Sequence, residues 1–305
     1  MSKKIFYMMI IIVLSTFYTC VESEDKGKEN EKNKSGSQNV PTTEIITQIN
    51  VDEIIQSLPS PVEMAAMIKS SGVPFSRNYI ASPQDVDDFD ANFRKALGLG
   101  ILSADLGYLN VYEKNNEIVN FLASIRKISD DLDVGQFFDF HTLKKVVTSG
   151  DDLDSLIFLS QTSFRNMDNH LRKMKRSNLS ALMVTGVWIE GLYLVTQIVK
   201  KDKENEDLKE AIGQQKVSLE MLNKVVQSYK GLDRNFTKLA LDIDKLKKAY
   251  DQVIIEDIDG EIDTVYIDNQ PVVTTKSKSI LKMTDKQLTA IINLTEDIRN
   301  KLIAF

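Results

Sequence analysis

Residues 179–199 read LSALMVTGVWIEGLYLVTQIV, the most apolar stretch of the chain beyond its first twenty residues. A helix of this length would reach across a bilayer, so the choice between membrane span and core helix decides the fold. Glu190 stands mid-segment, where a charge in hydrocarbon costs several kcal/mol, and Thr185, Gly186, Gly191, Thr196 and Gln197 dilute the run further. Basic residues flank both ends (Arg172, Lys173, Lys175 and Arg176 before it; Lys200, Lys201 and Lys203 after it), so no membrane orientation is encoded. A helix apolar on all sides is also what the centre of a multi-helix body requires. The stretch is therefore read as the buried central helix of an all-α bundle.

A buried Glu190 needs a partner. Tyr193 is its i+3 neighbour, and an earlier segment repeats the arrangement: GILSADLGY, residues 100–108, places Asp105 three residues before Tyr108 among apolar residues and two glycines. The pattern reads as a faint internal duplication of a helical layer with close packing at the glycines, or instead as a paired acidic site across two facing helices. The acids then either lock the helices through hydrogen bonds or form a paired site. Two carboxyls in an apolar setting can perform general acid–base work when one of them holds its proton, so Asp105 and Glu190 are the candidate catalytic residues.

Outward from this centre, helix signals recur. Ser60-Pro61-Val62-Glu63 and Ser82-Pro83-Gln84-Asp85 each combine a capping serine, proline at the first helical position and an acid or amide in the first turn, and Gly72 with Pro74 ends the first of these helices. Thr284 with Gln287 opens the last helix, to about Leu302. Between them, helical periodicity runs through about 84–112, 114–132, 136–148, 152–175, 179–200, 204–229 and 233–254. Leu208, Ile212, Gln215, Leu219, Leu222, Val226 and Tyr229 alternate steps of four and three; Leu232, Phe236, Leu239, Ile243, Leu246 and Tyr250 resume them after a phase break at Gly231. A glycine at a phase break suits an antiparallel helical hairpin turning at 231–233 better than one continuous coiled coil.

One segment departs from helix. Val253–Ile258, Asp259-Gly260 and Ile262–Ile267 read as a small β-hairpin, because Asp-Gly supplies the positive φ of a type I′ turn; the irregular region spans about 253–275. Its acids (Asp257, Asp259, Glu261, Asp263) lack the bidentate glutamate of a calcium loop, Asp268 standing in that place, and read as a solvated face. Asp85, Asp87, Asp88 and Asp90 read as first-turn acids at a helix's positive end.

The residue counts exclude much else. With 38 Lys+Arg against 44 Asp+Glu, the net charge of −6 argues against a nucleic-acid partner. One cysteine and two histidines leave no thiolate cluster and no histidine-rich metal centre, so no metal or other cofactor is expected. His141 follows Phe137-Phe138-Asp139-Phe140 and is expected in an aromatic cluster; His170 and Asp168, two apart, face different sides of a helix. Arg172, Lys173, Lys175 and Arg176 are the candidate binding cations for a polyanion or lipid head groups, or else a solvated helix end. No nucleophile elbow, phosphate loop or zinc-helix signature occurs.

The single cysteine carries its own reading. Lys3 and Lys4 precede an unbroken apolar run, Ile5–Leu14, of signal-peptide length, and Phe17-Tyr18-Thr19-Cys20 follows. Cys20 stands where a lipoprotein signal is cut and its thiol acylated; Thr19 suits the cleavage pattern and Tyr18 is bulky for it. The alternatives are an ordinary cleaved signal or an uncut anchor with a free thiol. Removing residues 1–19 takes away Lys3 and Lys4, leaving 36 Lys+Arg against 44 acids, or −8. Residues 20–43 then form a polar tether: Glu22–Asn39 holds no apolar side chain and mixes Glu and Asp with Lys. The acids behind Cys20 (Glu22, Glu24, Asp25) resemble the export signal of surface-exposed Bacteroidota lipoproteins, and read equally well as plain linker. Residues 44–305 are the single folded domain.

Ser-Pro-Val-Glu (60–63), Ala-Asp-Leu-Gly-Tyr (104–108), Trp-Ile-Glu-Gly-Leu-Tyr (188–193) and Ile-Arg-Asn-Lys-Leu-Ile (298–303) together resemble a family of helical Bacteroidota lipoproteins with no assigned activity, over most of 45–305. The resemblance implies an outer-membrane anchor through a covalent lipid on Cys20, and it carries over no catalytic residue. The expectation is a lipid-anchored envelope protein serving as a binding or scaffold component with an envelope protein partner. A hydrolase using Asp105 and Glu190, or a carrier of an apolar ligand, is the alternative.

Overall fold

The computed structural model describes residues 61–83, 91–149, 153–258, 262–267, 270–275 and 278–303. These belong to one compact unit within 42–305. Cys20, the tether, Ser60, and the acids between 84 and 90 lie outside the described residues.

The chain is an all-α bundle with a β-ribbon before its last helix. Its helices are α1 (Pro61–Ser70), α2 (Asn92–Val111), α3 (Asn115–Asp131), α4 (Phe140–Ser149), α5 (Leu153–Lys173), α6 (Ser177–Lys201), α7 (Glu206–Ser228), α8 (Arg234–Tyr250) and α9 (Asp285–Ile303). The strands are β1 (Ile254–Ile258), β2 (Ile262–Ile267), β3 (Gln270–Thr275) and β4 (Lys278–Lys282).

Helix α6 is the central helix. It passes a length-and-hydropathy test for a membrane span, yet 94% of its most apolar window is buried against other parts of the chain. Its chief neighbour is α2, itself buried along most of its length. The two cross where Gly100 faces Gly186: a methyl on Gly100 would overlap the Met183 carbonyl oxygen and approach the Val187 nitrogen to 2.8 Å, and one on Gly186 would overlap the Leu97 carbonyl oxygen. Only side-chain-free residues allow two backbones this close. The buried indole of α6 is paired: Trp188 Nε1 donates to Gln215 Oε1 of α7 at 3.1 Å, which explains the glutamine in the apolar seam of α7.

Helices α7 and α8 form the antiparallel hairpin that their periodicity implies. Tyr250 donates its hydroxyl hydrogen to the Ile212 carbonyl (3.0 Å), Gln227 Nε2 donates to the Ala240 carbonyl (2.8 Å), and the rings of Tyr229 and Phe236 meet at 5.7 Å. Asp233 caps α8 by accepting from the N–H groups of Asn235 and Phe236 at 2.6 and 2.9 Å. Leu232 lies ahead of that cap and is exposed, so it belongs to the turn rather than to the seam. Thr284 and Gln287 form the expected capping box: the Thr284 N–H donates to Gln287 Oε1 and the Gln287 N–H to Thr284 Oγ1.

The ribbon corrects one expectation. β1 and β2 do not pair across Asp259-Gly260; β1 pairs antiparallel with β4, and β2 with β3. A two-residue turn at 259–260 would set Glu256 opposite Asp263, and like charges directly opposite are unfavourable. In the observed register Glu256 faces Ile280 and takes an ion pair from Lys282 at 2.6 Å. Leu281 lies over Gly213 of α7, seating the ribbon's base on the bundle.

Three helix ends use a left-handed residue that is not glycine: Glu113, Asp133 and Lys175, at φ 57°, 60° and 57°. Each end carries the long bond of a Schellman motif, as in Arg176 N–H to the Leu171 carbonyl at 2.7 Å. A side chain in this conformation costs about 1–2 kcal/mol. Lys175→Gly is accordingly expected to stabilise the chain by about 0.5–1 kcal/mol after glycine's own entropy cost, read as a higher urea midpoint with unchanged slope.

Candidate functional site

Helices α2 and α6 bring Asp105 and Glu190 together one turn beyond the glycine crossing, and both side chains are 0% exposed. The structure supplies a third member, Arg299 of α9, 5% exposed. Its Nε donates to Glu190 Oε2 at 2.9 Å and its Nη2 to Oε1 at 2.9 Å, a two-pronged pair that fits guanidinium to carboxylate. The guanidinium lies over the Tyr193 ring, 4.5 Å from its centre. Tyr193 thus serves Glu190 through its partner.

A strap, residues 73–83, closes over this junction. The Ala81 N–H donates to Asp105 Oδ2 at 2.8 Å, and Arg299 Nη2 reaches the Tyr79 carbonyl at 3.4 Å. The Ser76 N–H donates to the Tyr108 hydroxyl at 3.1 Å, and the Tyr112 hydroxyl donates to the Val73 carbonyl at 2.6 Å. Phe75 stacks on Tyr108 with ring centres 5.4 Å apart. Arg77 secures the strap to α3 through Glu117 at 2.7 Å.

The electrostatics follow from burial. Desolvation first, then the neighbouring Glu190 charge, push the Asp105 carboxyl well above the usual carboxylate range; the Ala81 N–H and Arg299 oppose this without cancelling it. Burial alone would lower Arg299, and the Glu190 carboxylate more than offsets that, holding the guanidinium firmly charged. Burial also raises the phenols of Tyr108 and Tyr193, and takes that of Tyr112 to about 12. Both Glu190 oxygens are occupied by Arg299, so the cluster as folded ties α2, α6, α9 and the strap into one joint.

The other candidates are dispersed. Arg172 is held by the buried Asp168, Nε to Oδ2 at 2.6 Å, and Arg176 lies 3.6 Å from Asp133. Lys173 and Lys175 point to solvent. The basic run is therefore split between packing and surface. His141 is exposed, contrary to the aromatic setting expected for it; His170 instead meets the ring of Phe137 at 5.0 Å. The reason is local: Phe138 and Phe140 stack on each other where α4 starts, and His141, next along the helix, turns outward. Among the described residues no three His, Cys, Asp or Glu side chains gather as a metal-binding group.

No family model, curated protein or solved structure matches this chain. Its chemistry rests on its own residues. Arg299 is the site residue that sequence reasoning missed, and a signal for it exists. Leu288, Ile292, Thr295, Arg299 and Leu302 step by four and three along α9, and an arginine in that stripe announces a buried acid opposite.

Proposed function

We propose that this chain is a lipid-anchored protein of the bacterial outer membrane, a helical lipoprotein whose body serves as a binding or scaffold component for an envelope protein partner. The observation that carries the reading is the only cysteine, Cys20, placed at the end of a signal-like apolar run and followed by a polar tether. Two or more acyl chains suffice for stable attachment, whereas one is marginal. The folded body supports the reading from another side: its buried Glu190–Arg299 pair is spent on joining α6 to α9. A scaffold needs a rigid shape more than a reactive centre.

The test is Cys20→Ala in the full-length chain. The native protein is expected to take up a palmitate analogue and sediment with membranes; the variant is expected to take up none and to leave the membrane fraction. A variant that stays membrane-bound would remove the anchor from the account. Crosslinked capture from membranes then examines the scaffold role, which a chain with no stable partner would contradict.

The meeting of Asp105 and Glu190 favours a second reading, a hydrolase using the two acids. It requires Asp105→Asn to abolish turnover while leaving the fold intact.

A further inference from the structure

We infer that Asp105 keeps its proton in the folded chain at neutral pH and donates it to Glu190, so that a shared hydrogen closes the contact between α2 and α6. The inference is independent of the anchor and of any partner. Two acids, each fully buried, face one guanidinium. Arg299 spends its Nε and Nη2 on Glu190, with Nη2 also reaching the Tyr79 carbonyl. Asp105 takes one N–H, from Ala81 on Oδ2; among the described residues its Oδ1 meets no N–H or O–H donor. The same carboxyl has Glu190 as its charged neighbour across the contact of α2 and α6, and Glu190 as a carboxylate can only accept. A proton on Asp105 supplies the missing donor and brings the joint to neutrality; without it a net negative charge is left in a buried core.

Among the described residues, the groups around Asp105 leave no other source of compensation. From α6 come Glu190 and Tyr193, from α9 Arg299 with Glu296 beyond Tyr193, from the strap Tyr79, and from its own helix Tyr108. None of these except Arg299 is a cation. Lys201 sits over the outer side of the Tyr79 ring at 4.8 Å. Burial raises the affinity of Asp105 for its proton in agreement with this geometry.

The device has a defined sign. The folded chain binds one proton that the unfolded chain releases above the ordinary aspartate range. Stability is therefore greatest below that range and falls as pH rises toward the raised folded value, by up to about tenfold in the folding equilibrium per pH unit for one proton. The joint of α2, α6 and the strap is an alkaline-sensitive latch.

Two measurements test this on the full-length protein. Infrared spectra at neutral pH are expected to show a protonated-carboxyl band that shifts when the chain is labelled with carboxyl-¹³C aspartate. Absence of the band, or a shift with labelled glutamate instead, overturns the assignment. Asp105→Asn keeps an acceptor for Ala81 and offers an N–H to Glu190. Relative to this variant, the native chain is expected to lose stability progressively as pH rises from about 4. Parallel curves across the pH range would also overturn the inference. The infrared arm needs no variant, so it decides even where the amide fails to fold.

Discussion

Arg299→Met is expected to destabilise the folded chain by about 3–5 kcal/mol, the cost of stranding a buried charge by removing its partner. Glu190 is 0% exposed and would keep neither of its two short bonds from the guanidinium. The loss extends to the strap, because Arg299 also reaches the Tyr79 carbonyl, and to the Tyr193 face it covers. Arg299→Lys is expected to recover only part of the loss. An ammonium cannot form the two-pronged pair, and its charge is more strongly hydrated. Urea unfolding of the three proteins checks this, with the change falling on the midpoint.

Gly186→Ala is the second large effect, expected at about 3 kcal/mol, the upper end of overpacking costs. The added methyl would overlap the Leu97 carbonyl oxygen and come within 3.2 Å of the Ile101 nitrogen. Both are backbone atoms of α2 and cannot swing aside as a side-chain end would. The helices would have to separate at the crossing, one turn from the contact between Asp105 and Glu190. Gly231→Ala is the control: a methyl there meets nothing within 4 Å, and a change within about 0.5 kcal/mol is expected. Equal effects at the two positions would show that the crossing is not close-packed.

Much of this architecture was legible in the sequence because its signals are local. Capping at Thr284 with Gln287, the seams of α7 and α8, and the turn between them follow from spacing alone. The central position of α6 followed from a charge that a membrane would reject. The shared acid, tyrosine and glycine pattern of α2 and α6 left facing helices as one of two readings, and the glycine crossing came from the fold. Strand pairing was less accessible. The Asp-Gly signal is real as a turn chemistry, but β1 found its partner in β4, where Lys282 answers Glu256, and nothing within five residues of β1 encodes that. The left-handed ends at Glu113 and Lys175 were hidden because their residues carry no preference for that conformation; only the aspartate at Asp133 is of a type enriched there. Arg299 lay beyond local reading because its partner is 109 positions away. Only its place in an apolar stripe marks it, and the acid it serves had to be supplied by the fold.

The central claim is that the buried charges of α2, α6 and α9 act as one structural lock. A double-mutant cycle on Glu190→Gln and Arg299→Met, read by urea unfolding, addresses it most directly. The account expects each single change to cost about 3–5 kcal/mol and the pair together to cost no more than either alone, because removing both partners strands no charge. Costs that add would contradict it, and would mean that the two residues are held in place for separate reasons.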